Sequence, residues 1–157
     1  MSLEGRCACG NVRYRMTDVP MIVHCCHCTW CQTETGSAFV INAVIERNCL
    51  EVEGEPETIM TPSASGKGQE IVRCPRCRVA LWSHYGGAGH KAAFVRVGTL
   101  DTPGKVPPDV HIYTSTKLPW VVLPEGVPAY EEFYPDAGAI WSAKARERWR
   151  TLLARPS

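Results

Sequence analysis

Three cysteines lie within the segment 26–31, which reads Cys-His-Cys-Thr-Trp-Cys and follows a histidine and a further cysteine. Thiolates are strong zinc ligands, and three of them on one ion need a single further donor to complete a tetrahedron. Four more cysteines form two close pairs elsewhere in the chain. The clustered cysteines are Cys7 and Cys9, then Cys26, Cys28 and Cys31, then Cys74 and Cys77. This grouping predicts one closed site of four cysteines and one site of three, where chemistry could take place.

The two pairs, Cys7/Cys9 and Cys74/Cys77, are predicted to share a structural zinc ion. Each pair brackets a tight turn, and a site filled by four protein ligands contributes folding energy rather than catalysis. The alternative is a zinc ribbon in which Cys28 and Cys31 join the pair at 74 and 77. That ribbon would leave three clustered thiols unused, and its pairs lie much farther apart than the usual ~15–20 residues.

The remaining triplet, Cys26, Cys28 and Cys31, is predicted to hold a second zinc ion with one position open. The alternative is a second closed site, completed by one of four nearby donors. Those donors are His24, Cys25, His27 and Cys49. Alternation along a strand turns Cys25 and His27 away from Cys26, whereas His24 shares its side. Cys49 is more typical of a small buried apolar residue. An open position is therefore favoured, with His24 as the remaining competitor.

Composition restricts the class of protein. The chain has 157 residues, 45% of them hydrophobic and 21% charged, with a formal charge of +1, which is typical of a single soluble domain. Seven thiolates on two zinc ions would make it mildly negative, so neither nucleic acid nor a membrane is an expected partner. The sequence has no apolar run long enough to span a bilayer, and its first residues do not resemble a secretion signal. Nine cysteines in such a chain indicate a reducing compartment, so we expect a cytoplasmic protein with metal ligands rather than disulfides.

The elements that must position these residues are mostly strands. Alternating or β-branched segments separated by glycine and proline predict a mainly β fold. The predicted strands cover 11–16, 21–26, 36–45, 49–53, 70–73, 79–84, 92–98, 110–114 and 120–123. From 139 to 154, apolar residues recur at helical spacing and predict one terminal helix with a basic, solvated outer face. We divide the chain into a zinc-binding domain at 1–134 and a helical extension of the same domain at 135–157.

The ordered cysteine pattern resembles the family of glutathione-dependent formaldehyde-activating enzymes, which also includes centromere protein V. The segments that carry the resemblance are 5–14 (GRCACGNVRY), 26–31 (CHCTWC), 35–37 (TGS), 74–77 (CPRC), 98–101 (GTLD), 108–112 (PDVHI) and 119–120 (PW). Together they span roughly residues 3 to 134. One departure is Arg78, which stands where the family usually has glycine, so we expect that turn to close differently.

The resemblance implies a β-tent fold, in which small antiparallel sheets meet around a structural zinc ion. It assigns the four paired cysteines to that ion and the triplet to a catalytic zinc ion. The implied activity is that of a carbon–sulfur lyase run in the synthetic direction, joining glutathione to formaldehyde as S-hydroxymethylglutathione. The expected partners are thus a glutathione-like thiol and a small aldehyde, with no protein nucleophile or catalytic base beyond the zinc ligands. The alternative function is a non-catalytic binding module, in which zinc only shapes a surface for a protein partner.

Overall fold

The computed structural model describes residues 2–156, which form two β-sheets and two α-helices. The strands are β1 Leu3–Arg6, β2 Arg13–Met16, β3 Ile22–Cys26, β4 Val40–Glu46, β5 Leu50–Glu53, β6 Glu57–Thr61, β7 Gln69–Arg73, β8 Ala80–Tyr85, β9 Ala92–Arg96 and β10 Val110–Ile112. The helices are α1 Thr29–Thr35 and α2 Ala143–Ala154. The predicted mainly β fold with a C-terminal helix is confirmed.

The smaller sheet has the strand order β1-β2-β5, and the larger has the order β10-β3-β4-β9-β8-β7-β6. All neighbours are antiparallel except β10 and β3, which run parallel. Every residue of β3 is buried, so both faces of this strand are covered. Val23 packs into one hydrophobic cluster, whereas Ile22 and Cys26 belong to the other. The strand therefore delivers alternate side chains to two separate environments.

Helix α1 was not predicted, and it carries the last cysteine of the triplet. Cys28 occupies its N-cap and accepts a hydrogen bond from the backbone N–H of Cys31 at 3.4 Å. Gly36 ends the helix in the left-handed conformation, with φ 63°, which glycine adopts at little cost. The helix turns the chain back immediately after β3, so Cys31 returns to the neighbourhood of Cys26.

Helix α2 begins at Ala143, four residues later than predicted, because Ser142 caps it with a hydrogen bond from Ala145 N–H at 3.1 Å. Its basic face is not wholly solvated. Arg148 forms a bidentate ion pair with Glu46 at the end of β4, with N–O distances of 2.8 and 2.5 Å. This pair fastens the helix to the large sheet.

Two further expectations differ from the structure. Residues 120–123 form no strand, and Trp120 and Val122 are exposed there, 71% and 89% respectively. Strands β1 and β6 were not predicted; β1 pairs with β2, and β6 forms the outer edge of the large sheet. Neither of the helices between residues 2 and 156 is long and apolar enough to cross a membrane.

Candidate active site

The four paired cysteines come together between the two sheets. Cys7 and Cys9 lie in the turn between β1 and β2, and Cys74 and Cys77 lie in the turn between β7 and β8. Their four sulfur atoms lie within 4.8 Å of one another. Cys9 Sγ is 3.6 Å from Cys7 Sγ and 3.7 Å from Cys74 Sγ. A tetrahedral zinc ion with Zn–S bonds of about 2.3 Å would separate its sulfurs by about 3.8 Å, so this cluster could hold such an ion.

Backbone N–H groups in these turns point at the cysteine sulfurs and would stabilise negative charge on them. Val12 N–H points to Cys7 Sγ at 3.3 Å, and Arg76 N–H points to Cys74 Sγ at 3.4 Å. The second turn closes with Arg78 at φ 65°, a conformation that glycine takes readily and other residues take at a cost. Arg78 N–H also donates to the carbonyl oxygen of Cys74 at 3.0 Å. The local backbone thus fixes the cysteine pair at 74 and 77 despite the absence of glycine.

The triplet Cys26, Cys28 and Cys31 forms a second, buried cluster, with its sulfurs within 4.8 Å of one another. Hydrogen bonds from the Cys26 and Cys31 thiols, together with backbone N–H groups of Cys31 and Trp30, lower the pKa of Cys28 to about 3. Hydrogen bonding with Cys28 contributes to raising the pKa of Cys26 to about 12. The site thus favours one thiolate before any metal binds. Since zinc ligands must be deprotonated, a metal ion would have to displace protons from the other two sulfurs.

The described part of the chain adds no fourth His, Cys, Asp or Glu ligand atom to this cluster. Cys25 and His27 face the opposite side of β3, as alternation predicts, where they meet His111 in a separate buried group. His24 shares the side of Cys26, but its Nε2 lies 2.8 Å from the hydroxyl of Tyr134. Cys49 packs at the margin of the other hydrophobic cluster. The four candidate donors considered from the sequence therefore lie outside the triplet cluster.

The triplet lines a cavity of about 290 Å³. Eight aromatic side chains contribute to its walls: Trp30, Tyr85, Phe94, Tyr113, Phe133, Tyr134, Trp141 and Trp149. Lys67 is the one lysine, arginine or carboxylate among the described lining residues, and it is exposed. His24 also lines the cavity, where burial lowers its pKa to about 4 and keeps it neutral. The space next to the three sulfurs is therefore mostly apolar, with one cation at its rim.

Sequence reasoning did not identify most of the aromatic residues that build this cavity. Trp141 and Trp149 were assigned to the apolar face of the terminal helix. Trp149 lies on helix α2, whereas Trp141 precedes the helix by two residues. Helical spacing does not distinguish a packed core from a cavity wall. Phe133 and Tyr134 lie in an irregular segment with no periodic pattern. The clustering of aromatic residues near the C-terminus is the one signal that could have indicated a binding wall.

Sequence comparison with known proteins supports the family resemblance that the cysteine pattern indicates. The sequence profile of the glutathione-dependent formaldehyde-activating enzyme family matches residues 2–116. A protein of Halomonas elongata, provisionally named after the same enzyme, is 31% identical over 129 residues, covering 78% of this chain and 82% of that protein. A crystal structure of a Rhodobacter sphaeroides protein matches with a TM-score of 0.48 and 18% identity, covering 67% of this chain and 91% of the other. The profile match includes all seven clustered cysteines and ends before residues 117–157.

Proposed function

The chain belongs to the glutathione-dependent formaldehyde-activating enzyme family, and we propose that it joins a glutathione-like thiol to a small aldehyde in a zinc-dependent carbon–sulfur bond-forming reaction. In this reaction the thiol sulfur adds to the aldehyde carbon, a carbon–sulfur bond forms, and the thiol proton ends on the former carbonyl oxygen. No electrons are gained or lost overall. The product is an S-hydroxyalkyl adduct, which is S-hydroxymethylglutathione when the aldehyde is formaldehyde.

The observation that carries the proposal is a cluster of three cysteines, not four, in the wall of a cavity. Soft thiolate ligands suit zinc, and a zinc ion with three protein ligands leaves one position for an exchangeable group. A zinc ion held there by Cys26, Cys28 and Cys31 would lower the pKa of a substrate thiol. A free thiol is mostly protonated at neutral pH, so this would convert it to the reactive thiolate. The four-cysteine cluster would hold a second ion that only stabilises the fold.

The chain's own residues have a limited task in this proposal. The substrate sulfur is the nucleophile, so no protein nucleophile is required. The triplet is buried, and the cavity beside it would place the aldehyde close to the sulfur. The exposed cation of Lys67 at the rim suits a carboxylate of the thiol substrate. A cavity of small-molecule size beside the triplet favours this enzymatic function over a protein-docking module.

The proposal is tested by removing one ligand of the triplet. The Cys28→Ser variant should lose about one zinc equivalent per chain and the thiol-dependent turnover, while its circular dichroism spectrum is unchanged. The uncatalysed addition is appreciable, so turnover is measured as the NMR exchange rate between free aldehyde and adduct. Cys49→Ser, which removes a thiol outside both clusters, is the matched control and should retain zinc and activity. Full activity of Cys28→Ser without its second zinc equivalent would refute the proposed function.

A further inference from the structure

The cavity beside the triplet is large for formaldehyde. A water molecule accounts for about 30 Å³ of liquid volume, and formaldehyde has only one more heavy atom than water. The cavity of about 290 Å³ therefore exceeds what a one-carbon aldehyde needs by several fold. It lies at the small end of the ordinary range for ligand pockets, which is about 300–1,000 Å³. Its size suits a substituent of about six to ten heavy atoms.

The walls of the cavity are unsuited to the charged ends of glutathione. Glutathione carries two carboxylates and an ammonium group, and burying a charge without a partner is costly. Among the described lining residues, the one cation is Lys67, which is exposed at the rim. The charged parts of the thiol substrate thus belong at the rim, with its sulfur directed inward. The apolar interior then remains for the other reactant.

Half of the aromatic wall comes from outside the segment that matches the family profile. Phe133, Tyr134, Trp141 and Trp149 line the cavity, whereas the profile match ends at residue 116. These side chains are held in place. The indole N–H of Trp141 donates to the Tyr134 hydroxyl at 2.7 Å, and the rings of Trp141 and Trp149 pack edge to face at 5.4 Å.

Helix α2, which carries Trp149 and begins two residues after Trp141, is itself anchored to the sheet. Arg148 pairs with Glu46 of β4, and Lys91 Nζ donates to the carbonyl oxygens of Leu153 and Arg155 at 3.2 and 2.6 Å. The aromatic wall is therefore a fixed part of the fold rather than a loose tail. A wall built this way selects a ligand by shape and by apolar contact.

We propose, on the basis of the function proposed above, that the aldehyde substrate carries a ring-sized apolar group and that this group occupies the cavity against Trp141 and Trp149. The reaction remains the addition of a thiol to an aldehyde: the sulfur bonds to the carbonyl carbon, and the thiol proton passes to the carbonyl oxygen. Only the substituent of the aldehyde differs from formaldehyde. The C-terminal segment is thus the specificity-determining part of the site.

The first test compares benzaldehyde with formaldehyde in the zinc-loaded protein, with glutathione as the thiol. The ratio of kcat/KM for benzaldehyde to that for formaldehyde should exceed about tenfold, the smallest discrimination expected for a filled apolar pocket. Trp149→Ala should lower this ratio by about tenfold or more, because the ring loses its packing partner. Trp149→Leu is the milder variant if the alanine variant does not fold. Trp120→Ala, which removes an exposed tryptophan that does not line the cavity, should leave the ratio unchanged.

The second test measures binding without turnover. Benzyl alcohol, an unreactive relative of benzaldehyde, should cause saturable shifts in the NMR indole signals of Trp141 and Trp149 but not in that of Trp120, and methanol should cause none. A preference for formaldehyde that Trp149→Ala does not alter would overturn the inference and leave the proposed function standing. If neither aldehyde is turned over, the proposed function fails, and the binding of benzyl alcohol decides the inference. Saturable shifts at both indoles would show that the cavity takes a ring-sized apolar group. Their absence would reject that ligand class.

Discussion

The hydroxyl of Tyr134 lies 2.8 Å from Nε2 of His24, which joins the C-terminal segment to strand β3 two residues before Cys26. The same hydroxyl accepts a hydrogen bond from the indole N–H of Trp141 at 2.7 Å. An indole N–H can only donate, so the tyrosine proton is free to bond the neutral His24 ring. Burial lowers the pKa of His24 to about 4, which keeps that ring an acceptor. The chain of three side chains thus connects the aromatic wall to the strand that carries the cysteines.

The first prediction is that Tyr134→Phe destabilises the protein by about 1–3 kcal/mol, because it leaves buried polar atoms of His24 and Trp141 without a partner. Denaturant unfolding of the zinc-loaded protein measures the change. A double-mutant cycle with His24→Phe supplies the control. The two changes should cost less together than the sum of their separate costs. Additivity within about 0.3 kcal/mol would mean that the hydrogen bond contributes nothing to stability.

The second prediction separates the two cysteine clusters by their effect on stability. Cys77→Ser should unfold the protein or sharply lower its Tm, because a structural zinc ion contributes on the order of 10 kcal/mol in small zinc folds. Cys28→Ser should stay folded, since the triplet lies beside a cavity within one hydrophobic cluster rather than between the two sheets. Thermal melts and metal analysis of both variants measure the contrast.

Chelation gives a second test of the same contrast. A mild chelator should remove about one zinc equivalent first, from the triplet, with little change in the far-ultraviolet circular dichroism, and the second equivalent only on unfolding. Equal losses of Tm in Cys28→Ser and Cys77→Ser, or simultaneous release of both ions, would contradict the division into a stabilising and an exchangeable site.

The third prediction concerns the turn that closes at Arg78 with φ 65°. Valine at this position should be less stable than glycine by about 1–2 kcal/mol, because a left-handed backbone crowds the β-carbon against the following carbonyl. Both variants lose the ion pair that Arg78 makes with Glu57, so their difference isolates the backbone. Denaturant unfolding of the two zinc-loaded variants gives the difference.

Arg76 provides the matched control for that comparison. It lies in the same turn and is exposed, but it is not among the residues with positive φ. Valine and glycine at position 76 should therefore not show the same preference for glycine. If Arg78→Val equals or exceeds Arg78→Gly in stability, the turn does not depend on the left-handed conformation.

The cysteine groups could be predicted from the sequence because ligand spacing is a local property. Cys26 and Cys28 lie on one side of a strand end by alternation, and that argument also placed Cys25 and His27 on the opposite side. Strands with clear alternation, such as β2, were predicted for the same reason. Helix α1 was not, because seven residues are too few to show helical periodicity and cysteine is not a usual N-cap.

The cavity could not be predicted, since it depends on contacts between distant parts of the chain. His24 and Tyr134 are 110 residues apart, and nothing in either local sequence indicates the other. Glu46 and Arg148 are 102 residues apart, and Arg148 was assigned to a solvated face. Local periodicity gives the buried face of helix α2, but only the docked helix reveals that Trp149, and Trp141 just before the helix, border a cavity.

The last prediction is a pH dependence that comes from His84. Its Nδ1 lies 2.7 Å from the carbonyl oxygen of Ala92, and Trp82 Nε1 donates to its Nε2 at 3.2 Å. Because the carbonyl can only accept and the indole can only donate, the ring is neutral with its proton on Nδ1. Burial lowers the pKa of His84 below its ordinary value of 6.5, and the positive charge of Arg47 acts in the same direction. Protonating Nε2 would also break the hydrogen bond from Trp82.

The unfolded chain therefore binds a proton at His84 more readily than the folded chain does. The stabilising contribution is fully present above about pH 6.5 and is lost as the pH falls through that value toward the lower pKa of the folded state. In the glutamine variant, His84→Gln, the side-chain amide can donate and accept but does not titrate, so its free energy of unfolding should fall less than that of the native protein between about pH 7 and pH 5. Denaturant unfolding at both values measures this, and loss of zinc in acid affects both proteins alike. Parallel decreases in the two proteins, or an NMR titration of His84 above 6.5 in the folded state, would show that the ring is not held neutral by its surroundings.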